Sequence, residues 1–137
     1  MKRKKKVKHL NSIESLVQDL YYPSESDEPI ELVVWPLAGT EPLTVSQVKQ
    51  CLMIPPDVLV EESSEAAFWE PVLTEQDWYE AEEKQTVARF RTLKEEIEKQ
   101  VSERQVFRVG QTEIDVYLLG KKAEGGWAGL KTKVVET

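Results

Sequence analysis

The order of two patterns constrains the fold of this chain most. A long amphipathic stretch over residues 75–101 is followed at once by three short alternating segments. Val87, Phe90, Leu93, Ile97 and Val101 recur at helical spacing and make one apolar stripe. Thr74 offers a cap, and Glu75, Asp77 and Glu80 suit the positive N-terminal end of a helix. Lys99 falls opposite the stripe, and Lys94 borders it, where its stem can pack while its ammonium stays wet. Strands then read over 105–109, 112–119 and 127–135. In the second, Ile114, Val116 and Leu118 alternate with Asp115, Tyr117 and Leu119; the third turns Leu130 and Val134 inward. Gly110-Gln111 makes the first turn, and Gly120 to Gly126 is a polar loop.

The first half is less regular. Leu10, Ile13, Leu16, Val17 and Leu20 predict a helix over 12–20, with Asn11 as cap and Glu14 three residues on. Tyr21 to Pro29 reads as a loop with two prolines and three acids within four residues, Glu25, Asp27 and Glu28. Ile30 to Trp35 reads as a strand that Pro36 ends. Thr44 can cap a short helix with Val45, Val48 and Leu52 inward, and Pro55-Pro56 stops it. Residues 57–64 carry only a weak strand signal at Val58-Leu59-Val60, and Ser64 to Trp69 gives one or two helical turns before Pro71. Helices and strands are partly segregated, which predicts an α+β fold with a mostly antiparallel sheet covered by helices. Residues 10–137 are expected to form one domain behind a basic tail of residues 1–9, and no repeat is visible.

Charge divides the chain unevenly. Lys2, Arg3, Lys4, Lys5, Lys6 and Lys8 supply six of the 18 basic side chains, and no acid precedes Glu14. Residues 9–137 keep 12 basic against 25 acidic side chains, a net of −13. The basic start either holds nucleic acid or an anionic surface, or is a solvated tail; like charges repel there and no aromatic interleaves them. The acidic body is a surface suited to something basic, such as the positive cleft of a nucleic-acid enzyme. With one cysteine there is no internal disulfide, so a reducing cytoplasm is expected. No apolar run reaches the roughly 20 residues of a membrane span, and the basic start leads into Leu10-Asn11-Ser12-Ile13-Glu14, not a signal core.

The residues of common active sites are scarce. His9 and Cys51 each stand alone, which argues against a zinc site and against a Ser-His-Asp or Cys-His arrangement. Cys51 reads as a small core residue of a helix. Gly125-Gly126 lacks the Lys-Ser/Thr and the helix of a phosphate-binding loop. Paired carboxylates can hydrolyse glycosides, but Glu61-Glu62, Glu82-Glu83 and Glu95-Glu96 look like solvated faces, so an enzyme is a distant third reading. No cofactor is expected.

Three segments remain. Ser24-Glu25-Ser26-Asp27-Glu28 is either a soluble turn or an acidic contact. In Gln76-Asp77-Trp78-Tyr79-Glu80, helical geometry puts Tyr79 on the stripe and Trp78 to one side. Trp78 either packs under a loop or stands exposed as a binding anchor. The last strand either frays or holds Glu136 and Thr137 against the body.

Those segments also carry a likeness. Gln76-Asp77-Trp78-Tyr79-Glu80, Gln105-Val106-Phe107-Arg108-Val109-Gly110, Glu113-Ile114-Asp115-Val116-Tyr117 and Thr132-Lys133-Val134-Val135-Glu136-Thr137 resemble the nuclease A inhibitor family, as do Ser24-Glu25-Ser26 and the Trp35 strand. The likeness runs from about residue 12 to 137 and is strongest from 74 on; the basic start and residues 40–72 depart from it. It implies an α/β/α sandwich and a protein that blocks the active site of a sugar-nonspecific, metal-dependent DNA/RNA endonuclease. An inhibitor that fills a cleft can act as a monomer, so a 1:1 complex without contact to nucleic acid or membrane is expected. By that resemblance Glu25 meets an arginine of the nuclease, Gln76 and Trp78 pack at the interface, and Thr137 reaches the nuclease's divalent ion. The alternative is an interaction module of the same fold whose partner is not a nuclease.

Overall fold

The computed structural model describes residues 11–35 and 41–136. Their helices are α1 (residues 11–17), α2 (Val45–Leu52), α3 (Glu65–Leu73) and α4 (Ala81–Gln100). Their strands are β1 (Tyr21–Tyr22), β2 (Glu28–Pro29), β3 (Glu31–Trp35), β4 (Val60–Ser63), β5 (Val101–Val109), β6 (Glu113–Lys122) and β7 (Trp127–Val135). Five strands form one antiparallel sheet in the order β3-β7-β6-β5-β4, and β1 pairs with β2 in a small ribbon. The fold is α+β, as the sequence predicts. No helix among the described residues is long and apolar enough to cross a membrane.

Strand alternation builds two cores. Val106, Ile114, Val116, Leu118, Leu130 and Val134 pack on one face against Ile13 and Val17 of α1, Phe68, Trp69 and Val72 of α3, and Phe90, Leu93 and Ile97 of α4. On the other face Phe107, Val109, Tyr117, Leu119 and Trp127 pack against Val48 of α2 and Leu43. The sheet is therefore sandwiched between three helices and one. Each fully buried Leu, Ile or Phe contributes roughly 1.5–3 kcal/mol, so the three-helix face is the larger store of stability. Gly129 lets β6 and β7 meet at the centre, because a Cβ there would fall 1.7 Å from Leu118 O.

Several boundaries differ from the sequence reading. Asn11 lies inside α1 instead of capping it. The 21–29 loop contains the β1–β2 ribbon. The weak strand sits at Val60–Ser63, later than Val58–Val60. β5 starts directly at Val101, and a register shift between Ser102 and Gln105, with Glu103 at φ 49°, takes up the change from helix to strand.

The largest revision concerns residues 65–80. α3 passes through Pro71 to Leu73, because Trp69 and Val72 reach the core. Proline removes one helical donor, which the burial of its neighbours outweighs. Thr74 closes α3, its N–H and hydroxyl both donating to Glu70 O at 3.2 and 2.8 Å. α4 starts instead behind Glu80, whose N–H donates to Glu83 Oε1 at 3.0 Å. Residues 75–79 thus form a turn, and Tyr79 is not on the α4 stripe. Cys51 is exposed, not a core residue. Three residues past Val48, it lies about 60° off that buried direction.

Candidate functional site

β3 pairs with β7 only over Trp127–Lys131, so it leaves residues 132–135 of β7 without a β3 partner. Glu136 N–H turns toward β6 and donates to Thr112 O at 2.8 Å. By strand alternation the Val135 amide turns to the opposite, open edge. The 23–29 loop fills that edge. Val135 N–H donates to Ser24 Oγ at 3.0 Å, and Glu25 N–H donates to Val135 O at 3.4 Å. Ser24 Oγ also donates to Ser26 O at 2.7 Å and accepts from Ser26 N–H at 3.3 Å. The Ser26 hydroxyl donates to the Glu28 carboxylate. At the other end of the loop Thr132, only 3 % exposed, donates its hydroxyl to Pro29 O at 3.0 Å. The acidic loop is therefore fastened to β7 at both ends, with Glu25 exposed between them.

Beneath the loop lies a buried phenol. Tyr22 donates its hydroxyl to Phe68 O at 2.7 Å. Burial pushes its pKa up to about 12; Arg108 pulls the other way and Glu136 adds slightly to the rise. Arg108 is itself paired with Glu136, Nη2 to Oε1 at 2.7 Å, which ties the last described residue of the chain to β5.

The 74–80 turn shares a groove with the start of this loop. Its Tyr79 N–H donates to Gln76 O at 3.0 Å. Trp78 is 68 % exposed, far above any other large aromatic except Tyr21 at 50 %. Its ring meets Tyr79 edge-on at 4.6 Å between centroids. Trp78 and Tyr79 wall an open groove of about 410 Å³ together with Tyr21, Pro23 and Asp27 of the acidic loop region and Glu82 and Glu83 of α4. Arg89 also lines it, donating to the carbonyls of Leu16, Gln18 and Asp19 at the end of α1. Glu75 adds another acid nearby, 3.7 Å from Arg91.

The loop that carries Glu25 thus borders the groove of Trp78 on one side and the end of β7 on the other, although more than fifty residues separate Glu25 from Trp78 in sequence. Gln76 is exposed in the same turn but does not line the groove. Thr137, like His9 and the basic start, lies outside the described residues. Sequence reasoning missed Thr132, Arg108 and Tyr22 as supports of this edge. The burial of a threonine on the apolar face of β7, where Leu130 and Val134 also point, is the one signal that marks Thr132. Among the described residues no group of three or more His, Cys, Asp or Glu could hold a metal ion.

These features describe an acidic α+β protein with an exposed aromatic turn and a fastened acidic loop on one edge of its sheet. Residues 8–137 match the family model of nuclease A inhibitor-like proteins, and the chain belongs to that family. No curated protein matches it.

Proposed function

We propose that this chain inhibits a sugar-nonspecific, divalent-metal-dependent DNA/RNA endonuclease by filling its active-site cleft, with residues 10–137 as the inhibitory unit. One observation supports the reading beyond family membership: the acidic loop shares a groove with Trp78 through Pro23 and Asp27, and hydrogen-bonds to the end of β7 through Ser24. A nuclease cleft is basic because its substrate is a polyanion, so a body of net charge −13 is drawn toward it. Glu25 then pairs with an arginine of the nuclease. Trp78, with Gln76 beside it, supplies the apolar anchor at the centre of the contact. Thr137, through its hydroxyl or terminal carboxylate, reaches the nuclease's divalent ion, which attracts oxygen ligands. The inhibitor acts in the cytoplasm as a monomer, binds one nuclease, catalyses nothing itself and needs neither cofactor nor contact with nucleic acid.

The test is a titration into a magnesium-dependent, sugar-nonspecific nuclease while DNA cleavage is followed. Stoichiometric inhibition by the full chain, weakened at least tenfold by deleting Thr137, is the expected result. Absence of inhibition at any ratio would remove the nuclease from the reading and leave an interaction module with a different basic partner. Inhibition that survives the deletion unchanged would sink the role of Thr137 alone.

A further inference from the structure

The acidic loop does what a strand would do. Val135 N–H and C=O face an edge that β3 is too short to reach. A strand residue opposite Val135 would offer one acceptor and one donor. Ser24 Oγ supplies the acceptor at 3.0 Å, and Glu25 N–H supplies the donor at 3.4 Å. The same hydroxyl donates to Ser26 O and accepts from Ser26 N–H, so it fixes the turn that presents Glu25 as well as the edge of β7. An Asx- or Ser-type turn alone would only shape the loop. Here its central atom is shared with the strand that leads into the last residues of the chain. Thr132 holds the far end of the loop to the same strand, and Arg108 holds Glu136.

We propose that Ser24 is a positioning residue that joins the acidic loop and the C-terminal end of β7 into one rigid contact unit, which rests on the reading of this edge as the inhibitory face. Ser24 need not touch the partner. Its hydroxyl sets where the Glu25 carboxylate and the end of β7 stand relative to each other before binding. A binder whose contacts are fixed in advance loses less conformational freedom on association, and that saving appears as affinity. Two contacts fixed by one atom are also coupled, so they do not respond independently to mutation.

Two measurements on the full chain test this. The first needs no partner: amide hydrogen exchange at Val135 and Ser26 in the wild type, Ser24→Ala and Ser24→Thr. The expected result is about tenfold faster exchange at both amides in Ser24→Ala and wild-type rates in Ser24→Thr, which keeps the hydroxyl. Unchanged exchange in Ser24→Ala overturns the proposal, because the fastening would then not depend on the hydroxyl. The second is inhibition of the nuclease by Ser24→Ala, Glu25→Ala and the double variant. Ser24→Ala is expected to weaken inhibition about tenfold with Ser24→Thr restoring it, and the double variant to be no weaker than Glu25→Ala within about threefold. Effects of the two substitutions that multiply overturn the positioning role even if exchange rises. If the wild type inhibits no nuclease while Ser24→Ala still frees the Val135 amide, the nuclease reading has failed and the fastening stands.

Discussion

The two loops at the candidate edge are built on opposite plans. The 23–29 loop is held by hydroxyls: Ser24 to Val135 and Ser26, Thr132 to Pro29. Glu25, one of its three acids, is presented from a frame that hydrogen bonds fix. The 74–80 turn is held by what flanks it. Thr74 closes α3 on Glu70, Glu80 opens α4 on Glu83, and between them one bond, Tyr79 N–H to Gln76 O, shapes the chain. Its payload is an indole left mostly in water. An exposed tryptophan gains most of its value when a partner dries it, so its position can be looser than that of a carboxylate that must meet a charge at hydrogen-bond distance. One contact face can therefore combine a directional group on a rigid loop with a non-directional one on a turn.

Trp78→Ala should separate the two plans most clearly, with binding lost and folding kept. The side chain is solvated in the free protein, so melting should move by no more than about 0.5 kcal/mol. Inhibition should weaken by about 2–4 kcal/mol, the range of a central aromatic anchor. Thermal melts and inhibition titrations of the same preparation check both halves. A variant that melts early would mean that Trp78 supports the fold through Tyr79, and the contrast with the hydroxyl-held loop would collapse.

Tyr22→Phe probes the floor of the fastened loop. At neutral pH it should cost about 1 kcal/mol, because Phe68 C=O loses its buried donor. The sign of the pH effect follows from the raised pKa. With a folded value of about 12 against 10.0 for the free side chain, the native state holds the proton longer than the unfolded chain. The contribution is fully present below pH 10 and is lost between pH 10 and 12, at about 1.4 kcal/mol per pH unit. That loss exceeds the worth of the hydrogen bond, so denaturant midpoints of wild type and variant should meet soon above pH 10 and then cross, with the wild type the less stable by pH 12. A constant gap from pH 7 to 12 would show that the phenol does not titrate with folding.

How much of this edge was legible before the structure depends on the range of the forces. β6 and β7 were readable because period-two alternation is local and both faces of the sheet demand apolar side chains. The stripe of α4 was readable for the same reason. Its start was not. Thr74-Glu75-Gln76-Asp77 carries as good a cap signal as Glu80-Ala81-Glu82-Glu83, and what separates them is the burial of Trp69 and Val72, which draws α3 through Pro71 to end on Thr74. That is a tertiary effect with no local signature. Cys51 failed in the opposite way: a helix with only Val48 fully buried has a narrow stripe, and one residue turned off it is already in water. The acidic loop and Trp78 could be singled out as residues, but that Ser24 and Thr132 fasten the first depends on where β3 stops, which only the paired sheet decides.

Gln76→Ala should do the least and tests the contrast most finely. The turn uses the Gln76 carbonyl, which alanine retains, so the shape of the turn and the place of Trp78 should both survive. Loss of the exposed amide should leave melting unchanged and weaken inhibition by about 0.5–1.5 kcal/mol, the worth of one hydrogen bond across an interface. Trp78 ring resonances that keep their shifts in the variant would establish that the turn is intact. If inhibition instead fell as far as in Trp78→Ala with those shifts unmoved, the amide and not the indole would be the directional contact of this turn. The two loops would then work by the same plan, a polar group held in place to meet a polar partner.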